Sequence, residues 1–526
     1  MKKWLLLLCM AMAVLSGCNA LPGVFARDTE PTAEATTAVV TAADVTAATE
    51  PTETDGLPPS ELFDLDWNDR SVFLSGLTSA SQHWAQELPD ATLYRVELVL
   101  PDALDMLTGR QEIVYTNTEE IPLDDIVLRL FPNVSGGLAN IENVRVDGQA
   151  VEPEYRFENS TVLLPLNEAL EPGDHLFLQF DFSLSIPREM GGNYGLFGYF
   201  DNVLMLDLFL PTIPAYDENG WYENLPPRHG DLSYYDASFY LLRVIAPADL
   251  VLVTSGVEVE REDNSTQTVI YAAGPARDFS LAASDQFEVQ SRMVDEVRVN
   301  SYYFPGFEQG GEIALNDAAA SIETFSEMIG AYDYTEFDVA ATPQLAGGVE
   351  YPGMTWINTD YYNLDGNGNI ETMVGILRSV VSHEVGHQWF YNVVGNSQVT
   401  EPWLDESLVQ YINGLYFREE YGTAALKTIE ESWYARWSKI DMREMPIGMP
   451  SADYNAAQYV ASVYGRGPFF FRALSRQMGE DVFLEFLRDY YGRYHWQIAT
   501  TEEIKALAES HCNCDLTDLF EQWVLP

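Results

Sequence analysis

The spacing of apolar residues changes once along this 526-residue chain, and that change constrains its fold more than any other feature. From about Leu93 to Val299, short runs such as "YRVELVL" and "HLFLQFDFSLSI" alternate apolar and polar residues, and Gly, Pro, Asn and Asp separate them. This period of two is typical of half-buried antiparallel strands. From about Phe307 the apolar residues recur at helical spacing instead. We therefore predict an α+β multidomain protein, with an antiparallel β domain over residues 61–300 and a mainly helical domain over residues 301–526.

The first twenty residues have the composition of an export signal. Lys2 and Lys3 precede an apolar run that is too short to span a bilayer, and small residues come before a cysteine. The sequence "LSGC" ends at Cys18 and resembles a bacterial lipobox, which implies a signal peptide over residues 1–17 and a lipid on the Cys18 thiol. We therefore expect an extracytoplasmic chain, lipid-anchored to the outer face of the bacterial cell membrane. A plain secretory signal is the alternative.

Composition limits what the rest of the chain can be and what it can bind. The chain has 28 Lys and Arg against 81 Asp and Glu, a formal net charge of −53 that repels phosphate backbones and argues against nucleic acid. Thr, Ala, Glu and Pro dominate residues 18–60, and a segment so poor in large apolar side chains is expected to be a disordered tether. Cys512 and Cys514 lie two positions apart, and both a disulfide and two free thiols remain open.

Two histidines four positions apart, His383 and His387, flank Glu384 in the stretch "SHEVGHQW". On a helix such positions share a face, so both imidazoles can bind one ion. A catalytic zinc site needs a third protein ligand, and Glu406 in "WLDES" follows His387 after eighteen intervening residues. We predict one Zn²⁺ ion on these three residues, with Glu384 taking a proton from water as it attacks a carbonyl. The alternative is a pair of histidines on a buried face, with Glu384 in solvent.

Taken together, "HEVGHQW" and the glutamate of "WLDES" resemble the aminopeptidase N family of gluzincin metallopeptidases. The stretches "GGVEYPG" and "VYGRGPFFF" fall where that family has its substrate strand and its catalytic tyrosine. The resemblance covers roughly residues 93–526 and implies a saddle-like β domain followed by a thermolysin-like catalytic domain. It implies that Gly347, Gly348 and Glu350 bind the substrate, with Glu350 on a free α-amino group. It also implies that Tyr464 donates a hydrogen bond to the oxyanion.

The chain departs from the family pattern at several positions. Val349 and Tyr351 stand where the substrate strand most often has Met and Asn, and Asp405 stands where Asn is commoner. We expect Asp405 to contact the metal site from behind the ligands at most. Many members hold the α-amine with a second acidic or amide side chain from the β domain, and here Thr212 lies near the expected place. The larger members also have a helical domain that roofs the active site, so we expect a more open cleft in this chain.

These motifs predict a zinc metallopeptidase that acts on peptides outside the cell, most simply an aminopeptidase that releases N-terminal residues. Because the amine-binding set is incomplete, an endopeptidase of the same fold is an alternative. A catalytically inactive, peptide-binding surface lipoprotein is the alternative from another class. The complete set of ligands, base and tyrosine argues against that last alternative.

Overall fold

The computed structural model describes residues 66–365, 369–441 and 444–525. Within these ranges a β-rich part comes first and a mainly helical part follows, so the predicted fold class is confirmed. The predicted signal peptide, Cys18 and the predicted tether lie outside the described residues. Among the helices described, none is both long and apolar enough to cross a membrane.

The β-rich part is built around an eight-stranded sheet with smaller sheets packed beside it. Its strands are β1 (Leu93–Val99), β2 (Met106–Thr116), β3 (Leu123–Arg129), β4 (Leu138–Val146), β5 (Gln149–Ala150), β6 (Glu154–Arg156), β7 (Thr161–Leu170), β8 (His175–Ser185), β9 (Phe197–Phe200), β10 (Val203–Leu206), β11 (Tyr216–Asp217), β12 (Gly220–Trp221), β13 (Ser238–Pro247), β14 (Val251–Thr254), β15 (Val257–Asp263), β16 (Thr266–Ala276) and β17 (Leu281–Ser284). The large sheet has the order β15-β16-β13-β1-β2-β8-β4-β5. The smaller sheets have the orders β14-β17-β10-β9, β3-β7-β6 and β11-β12.

Alternating burial explains why these runs form strands. Along β8 the buried side chains occupy every second position and pack into the core of the β-rich part: Leu176, Leu178, Phe180, Phe182 and Leu184. The neighbouring strands β2 and β4 both run antiparallel to β8, as the alternation predicts. One pair differs, because β1 and β13 are parallel. No hairpin joins these two distant strands, so their relative direction was not fixed by local sequence.

The second part combines a five-stranded sheet with packed helices. The sheet has the order β18-β19-β20-β22-β21, formed by β18 (Glu288–Val294), β19 (Val297–Tyr303), β20 (Glu336–Thr342), β21 (Gly348–Tyr351) and β22 (Met354–Asn358). The predicted domain boundary, between residues 300 and 301, lies within β19. After the short α1 (Trp84–Glu87), the helices are α2 (Glu308–Met328), α3 (Ile370–Gly386), α4 (Glu406–Tyr421), α5 (Thr423–Trp437), α6 (Ala456–Tyr459), α7 (Gly467–Met478), α8 (Glu480–Arg493), α9 (Thr501–Cys512) and α10 (Thr517–Trp523). A π-helical segment, Val460–Arg466, joins α6 to α7.

Helix α3 is set in place by its cap and by its apolar face. At its start the side chain of Asn369 accepts a hydrogen bond from the backbone N–H of Thr372, which satisfies one of the free donors of the first turn. Its buried apolar residues follow helical spacing and join the main core: Met373, Ile376, Leu377, Val380 and Val381. The face that carries these residues therefore fixes the rotation of the helix before any ion binds.

Arg277, which directly follows β16, joins the two parts of the molecule. Its guanidinium donates hydrogen bonds to the carbonyl oxygens of Asn392 (2.9 Å), Val393 (3.0 Å), Gln497 (2.8 Å) and Tyr235 (3.2 Å). The side chain is 2% exposed, so these carbonyls replace the water that a buried cation has lost. The β-rich part thereby fixes the segment that follows the histidine helix.

Cys512 and Cys514 are joined by a disulfide at the end of α9. Asn513 between them has a φ of 48°, a left-handed conformation that Asn tolerates better than most residues. This turn ends the helix and brings the two Cα atoms within 5.2 Å. Of the two states that the sequence left open, the structure has the bridge.

The packing of Gly395 against Arg277 gives a test of this junction. A Cβ at Gly395 would lie 2.5 Å from the guanidinium carbon of Arg277, which its hydrogen bonds hold in place. We expect Gly395→Ala to lower the free energy of unfolding by about 1–3 kcal/mol and to lower the thermal midpoint in calorimetry.

The matched control is Gly492→Ala in α8, since a Cβ there meets no atom within 4 Å. This variant should raise the midpoint slightly, because Ala has the higher helix propensity. A Gly395→Ala midpoint equal to that of the unchanged chain would contradict the close packing.

Candidate active site

A cavity between the β-rich part and the helices collects the motif residues, and we call it the central cavity. It is lined by seven of the predicted site residues: Gly347, Gly348, Glu350, His383, Glu384, Glu406 and Tyr464. His387 lies directly behind them and is fully buried. The motifs are far apart in the chain, so the fold brings them together.

The three predicted metal ligands converge at one point. His383 lies in the last turn of α3, His387 caps that helix, and Glu406 is the first residue of α4. The Nε2 atom of His383 lies 3.1 Å from Oε2 of Glu406. The Nε2 atom of His387 lies 3.4 Å from that oxygen and 3.4 Å from Nε2 of His383. Tetrahedral ligands about 2.0–2.1 Å from a zinc ion are separated by about 3.4 Å, so the spacing fits such an ion.

The charges around these ligands favour a cation. The Nδ1 atom of His387 lies 3.1 Å from the carbonyl oxygen of Phe390, so its proton is used there and Nε2 can present a lone pair. Burial opposes a charge on His387, yet Glu350 and Glu406 raise the pKa of this ring well above its ordinary value. Burial opposes ionisation of Glu406 too, yet the adjacent imidazoles of His383 and His387 hold the pKa of Glu406 far below its usual range. This position therefore calls for positive charge, which a divalent metal ion can provide.

Asp405 and Gln398 support the ligands from behind. The Oδ1 atom of Asp405 accepts a hydrogen bond from the backbone N–H of Glu406 (2.8 Å). The side-chain amide of Gln398 donates to Asp405 (3.0 Å) and to Glu350 (2.7 Å). The Gln398 carbonyl accepts from the backbone N–H of Ser233 in the β-rich part (3.1 Å). One amide thus fixes two carboxylates and ties them to the other domain.

Glu384 faces the strand that the family resemblance assigns to substrate. A Cβ at Gly348 would lie 2.3 Å from Oε1 of Glu384, so the carboxylate rests directly on the backbone of β21. Burial and the neighbouring Glu350 raise the pKa of Glu384 well above its ordinary value. A carboxylate with a raised pKa is a stronger base, which suits a group that accepts a proton from water.

Tyr464 is presented by the π-helical segment. The Ser407 hydroxyl donates to the carbonyl oxygen of Val463 (2.7 Å), which ties this segment to α4. A Cβ at Gly467 would overlap the Ser407 side chain, so only glycine allows this approach. The Tyr464 hydroxyl donates to Oε1 of Glu406 and so lies beside the ligand cluster. Single π-helical turns are frequent at functional sites.

Strand β21 ends its sheet, so one edge of it faces the central cavity. Gln388, next to His387, donates to the carbonyl oxygen of Tyr351 (2.9 Å) and accepts from the backbone N–H of Gly353 (2.9 Å), which holds the β21–β22 hairpin against α3. Tyr351 points away from the cavity, because its hydroxyl donates to Asp207 in the β-rich part (2.9 Å). The departure from Asn at this position therefore leaves Glu350 in the cavity.

Sequence reasoning missed Asp231, which precedes β13 and lines the central cavity. Its side chain is hydrogen-bonded to Glu406, and burial together with Glu350 raises its pKa well above the ordinary value. The loop is fixed at both ends: His229 Nε2 lies 2.9 Å from the carbonyl oxygen of Ser451, and the Ser233 N–H binds Gln398. An aspartate in a loop has no periodicity or motif, so no signal in one sequence identifies it.

Thr212 is not among the residues that line the central cavity. Its hydroxyl donates to the carbonyl oxygen of Leu210 (3.0 Å), and its backbone pairs with Arg129. Thr212 therefore does not bind the substrate amine. Its contacts hold the backbone of the β-rich part. The β-rich part contributes the carboxylate of Asp231 to the cavity lining instead.

The comparisons with known proteins agree with this geometry. A model of the Peptidase family M1 domain matches residues 313–523. Aminopeptidase 2 of Candida albicans is 25% identical over 411 residues, which are 73% of this chain and 42% of that protein. Aminopeptidase N of Bos taurus is 22% identical over 486 residues, 83% of this chain and 48% of that protein. These similarities support the resemblance to the aminopeptidase N family of gluzincins, and residues 313–523 match its peptidase domain.

A solved structure shares the fold over most of its length. The M1 zinc metallopeptidase from Deinococcus radiodurans has a TM-score of 0.62 and 20% identity, with 83% of this chain and 94% of that chain covered. By contrast, this chain spans less than half the length of the Candida and Bos relatives. The family resemblance stated from the motifs is confirmed.

The ligand cluster predicts the metal content of the protein. We expect His383→Ala to reduce the metal from about one equivalent per chain to a small fraction, because two of three ligands remain. Elemental analysis of the purified protein measures this content.

The control is the exposed His175 at the start of β8. His175→Ala should keep about one equivalent of metal per chain. Free zinc at about a thousand times its dissociation constant should also stabilise the unchanged chain by about 4 kcal/mol, but not His383→Ala. Full metal retention in His383→Ala would rule out this ligand set.

Proposed function

We propose that this chain is a zinc aminopeptidase that hydrolyses the first peptide bond of peptides with a free amino terminus. The observation that carries the proposal is the convergence of His383, His387 and Glu406 in one cavity with Glu384 and Tyr464. Three ligands leave a fourth position open, which is the arrangement of catalytic rather than structural zinc sites. Zinc held there would polarise the scissile carbonyl and lower the pKa of a water molecule.

The chain's own residues supply the proton transfers and hold the substrate. Glu384 accepts the proton of the attacking water and returns it to the amine that leaves, which its raised pKa favours. The Tyr464 hydroxyl donates a hydrogen bond to the carbonyl oxygen as that oxygen becomes negative. The open edge of β21 pairs with the extended substrate backbone, which aligns the scissile bond beside Glu384.

Asp231 and Glu350 favour an aminopeptidase over an endopeptidase. Both carboxylates line the central cavity, and the Gln398 side chain that donates to Glu350 also accepts from Ser233 in the loop that carries Asp231. A substrate ammonium between them would balance two buried acids, whereas a blocked amino terminus would leave both without a counter-charge. A mutant of the M1 zinc metallopeptidase from Deinococcus radiodurans, 19% identical to this chain, has been solved with a Tyr-Ser-Ala substrate bound.

The role of Glu384 is tested by Glu384→Gln. We expect kcat on alanyl-naphthylamide to fall by about 100-fold or more, because the amide cannot take a proton, while the zinc content stays unchanged. Glu371→Gln, an exposed change on the same helix, is the control and should keep full activity. Residual activity close to that of the unchanged enzyme would exclude Glu384 as the base.

The role of Asp231 is tested by Asp231→Asn. We expect kcat/KM on free dipeptides to fall by about tenfold to a hundredfold, since one charge-assisted contact to the ammonium is lost. N-acetylated peptides should remain poor substrates of both proteins. Asp174→Asn, at an exposed position before β8, should change nothing. Faster cleavage of acetylated than of free peptides by the unchanged enzyme would instead indicate an endopeptidase.

We infer that the enzyme acts outside the cell and is attached to the membrane by a lipid on Cys18. The sequence alone supports this inference. The basic start, the short apolar run and the "LSGC" stretch fit an exported lipoprotein, and residues 18–60 have the composition of a flexible spacer. Labelling of cells with a fatty acid should mark the unchanged chain and not Cys18→Ser. Equal labelling of both would overturn the anchor.

A further inference from the structure

Arg436 lines the central cavity and has no role in the proposed mechanism. It lies near the end of α5 and is 4% exposed. Among the described residues that line this cavity, it is the one Lys or Arg. Burial lowers the pKa of Arg436 to about 10, although Tyr464 and Tyr361 act in the opposite direction, so the group stays charged at neutral pH. A buried cation in a chain of net charge −53 is an unusual feature of a substrate cavity.

The central cavity has two chemically different ends. Asp231 interacts with Glu350, and we call these two carboxylates the acidic end. Following β21 backwards from Glu350, the backbone passes Gly348, whose Cβ position lies 2.3 Å from Oε1 of Glu384. It then reaches Gly347, whose Cβ position lies 3.4 Å from the Tyr361 hydroxyl. The order along the strand is therefore acidic end, catalytic base, and then Tyr361.

Arg436 belongs to the end beyond the base. Arg436 interacts electrostatically with Tyr361, Tyr464 and His383. Its guanidinium therefore lies on the side of the cavity that the two tyrosines share, where Val380 contributes an apolar wall. Because the ammonium of the first residue is held at Glu350, the residue that leaves lies beyond Glu384, on this side of the scissile bond. From Glu350 to Gly347 an extended strand covers about 10 Å, which is the length of two or three extended residues.

We propose that Arg436 binds a carboxylate on the leaving part of the substrate, which makes short peptides with a free carboxyl end the preferred class. The inference rests on the proposed aminopeptidase function and adds a second recognition point to it. A guanidinium presents its donors in a fork that matches a carboxylate. In a dipeptide the ammonium meets Glu350 and Asp231, and the carboxylate of the leaving residue meets Arg436. An acidic side chain on the leaving residue presents the same chemistry.

Hydrolysis by the full, zinc-loaded chain tests this inference with matched substrates. Alanyl-alanine is compared with alanyl-alaninamide, which lacks the terminal charge, and alanyl-aspartamide with alanyl-asparaginamide, which isolates the side-chain charge. We expect kcat/KM for alanyl-alanine to exceed that of its amide by about tenfold to a hundredfold. If Arg436 instead binds an acidic side chain of the leaving residue, alanyl-aspartamide should be preferred over alanyl-asparaginamide by a similar factor.

Variants then assign the preference to one residue. Arg436→Gln should bring the carboxylate-to-amide ratio close to one, and Arg436→Lys should keep part of it. Arg476→Gln, an exposed arginine on α7, should keep the whole ratio. An unchanged ratio in Arg436→Gln would overturn the inference.

The unchanged enzyme decides the question even if Arg436→Gln does not fold. Ratios near one for both pairs, with alanyl-naphthylamide still cleaved, would overturn the role of Arg436 and leave the aminopeptidase intact. Failure to cleave any substrate with a free amino terminus would overturn the proposed function itself.

Discussion

The candidate active site depends on cations and hydrogen-bond donors that compensate the negative charge of its buried carboxylates. Five acids share one small volume: Asp231, Glu350, Glu384, Asp405 and Glu406. Burial and their mutual repulsion raise the pKa of Glu350 and of Asp405 to about 7. Such a group is costly unless cations and hydrogen-bond donors compensate it. In this chain the two imidazoles and the Gln398 amide take part of that task, and the proposed metal ion and substrate ammonium would take the rest.

The β-rich part belongs to the active site as much as the helices do. It provides Asp231, and through Ser233 it holds the amide that fixes Glu350 and Asp405. It also restrains the segment after the histidine helix. Tyr391 in that segment has a φ of 119°, which non-glycine residues rarely adopt, and its hydroxyl donates to Asp278. Strained backbone of this kind persists only where the surroundings hold it, and here Arg277 and Asp278 do so.

The sequence could predict those parts of the site that are local. The pair His383 and His387 follows from helical spacing, and Glu406 follows from one short separation along the chain. Glu350 and Tyr464 were identifiable only through the family resemblance, because a lone carboxylate or tyrosine has no pattern. Asp231 and Arg436 carry no pattern at all: a loop and a helix end deliver them, and only the fold places them beside the metal ligands.

The same division holds for the fold. Alternation predicted the strands, and helical spacing predicted α3, because both report local burial. The parallel pairing of β1 with β13 joins strands that are distant in the chain, so register and direction depended on the whole sheet. The bond between Cys512 and Cys514 depended on the left-handed conformation of Asn513, which a two-residue spacing permits but does not require.

The free edge of β21 has a consequence for the behaviour of the protein among its neighbours. Unpaired strand edges normally invite other strands, and exposed ones are a common starting point of aggregation. Here the edge lies in a cavity that two carboxylates and a guanidinium also line. An internal strand of a folded protein has no free terminus to place against these groups, so pairing with it would bury them without a counter-charge. The charged lining thereby disfavours pairing of this edge with intact proteins, including other copies of the chain.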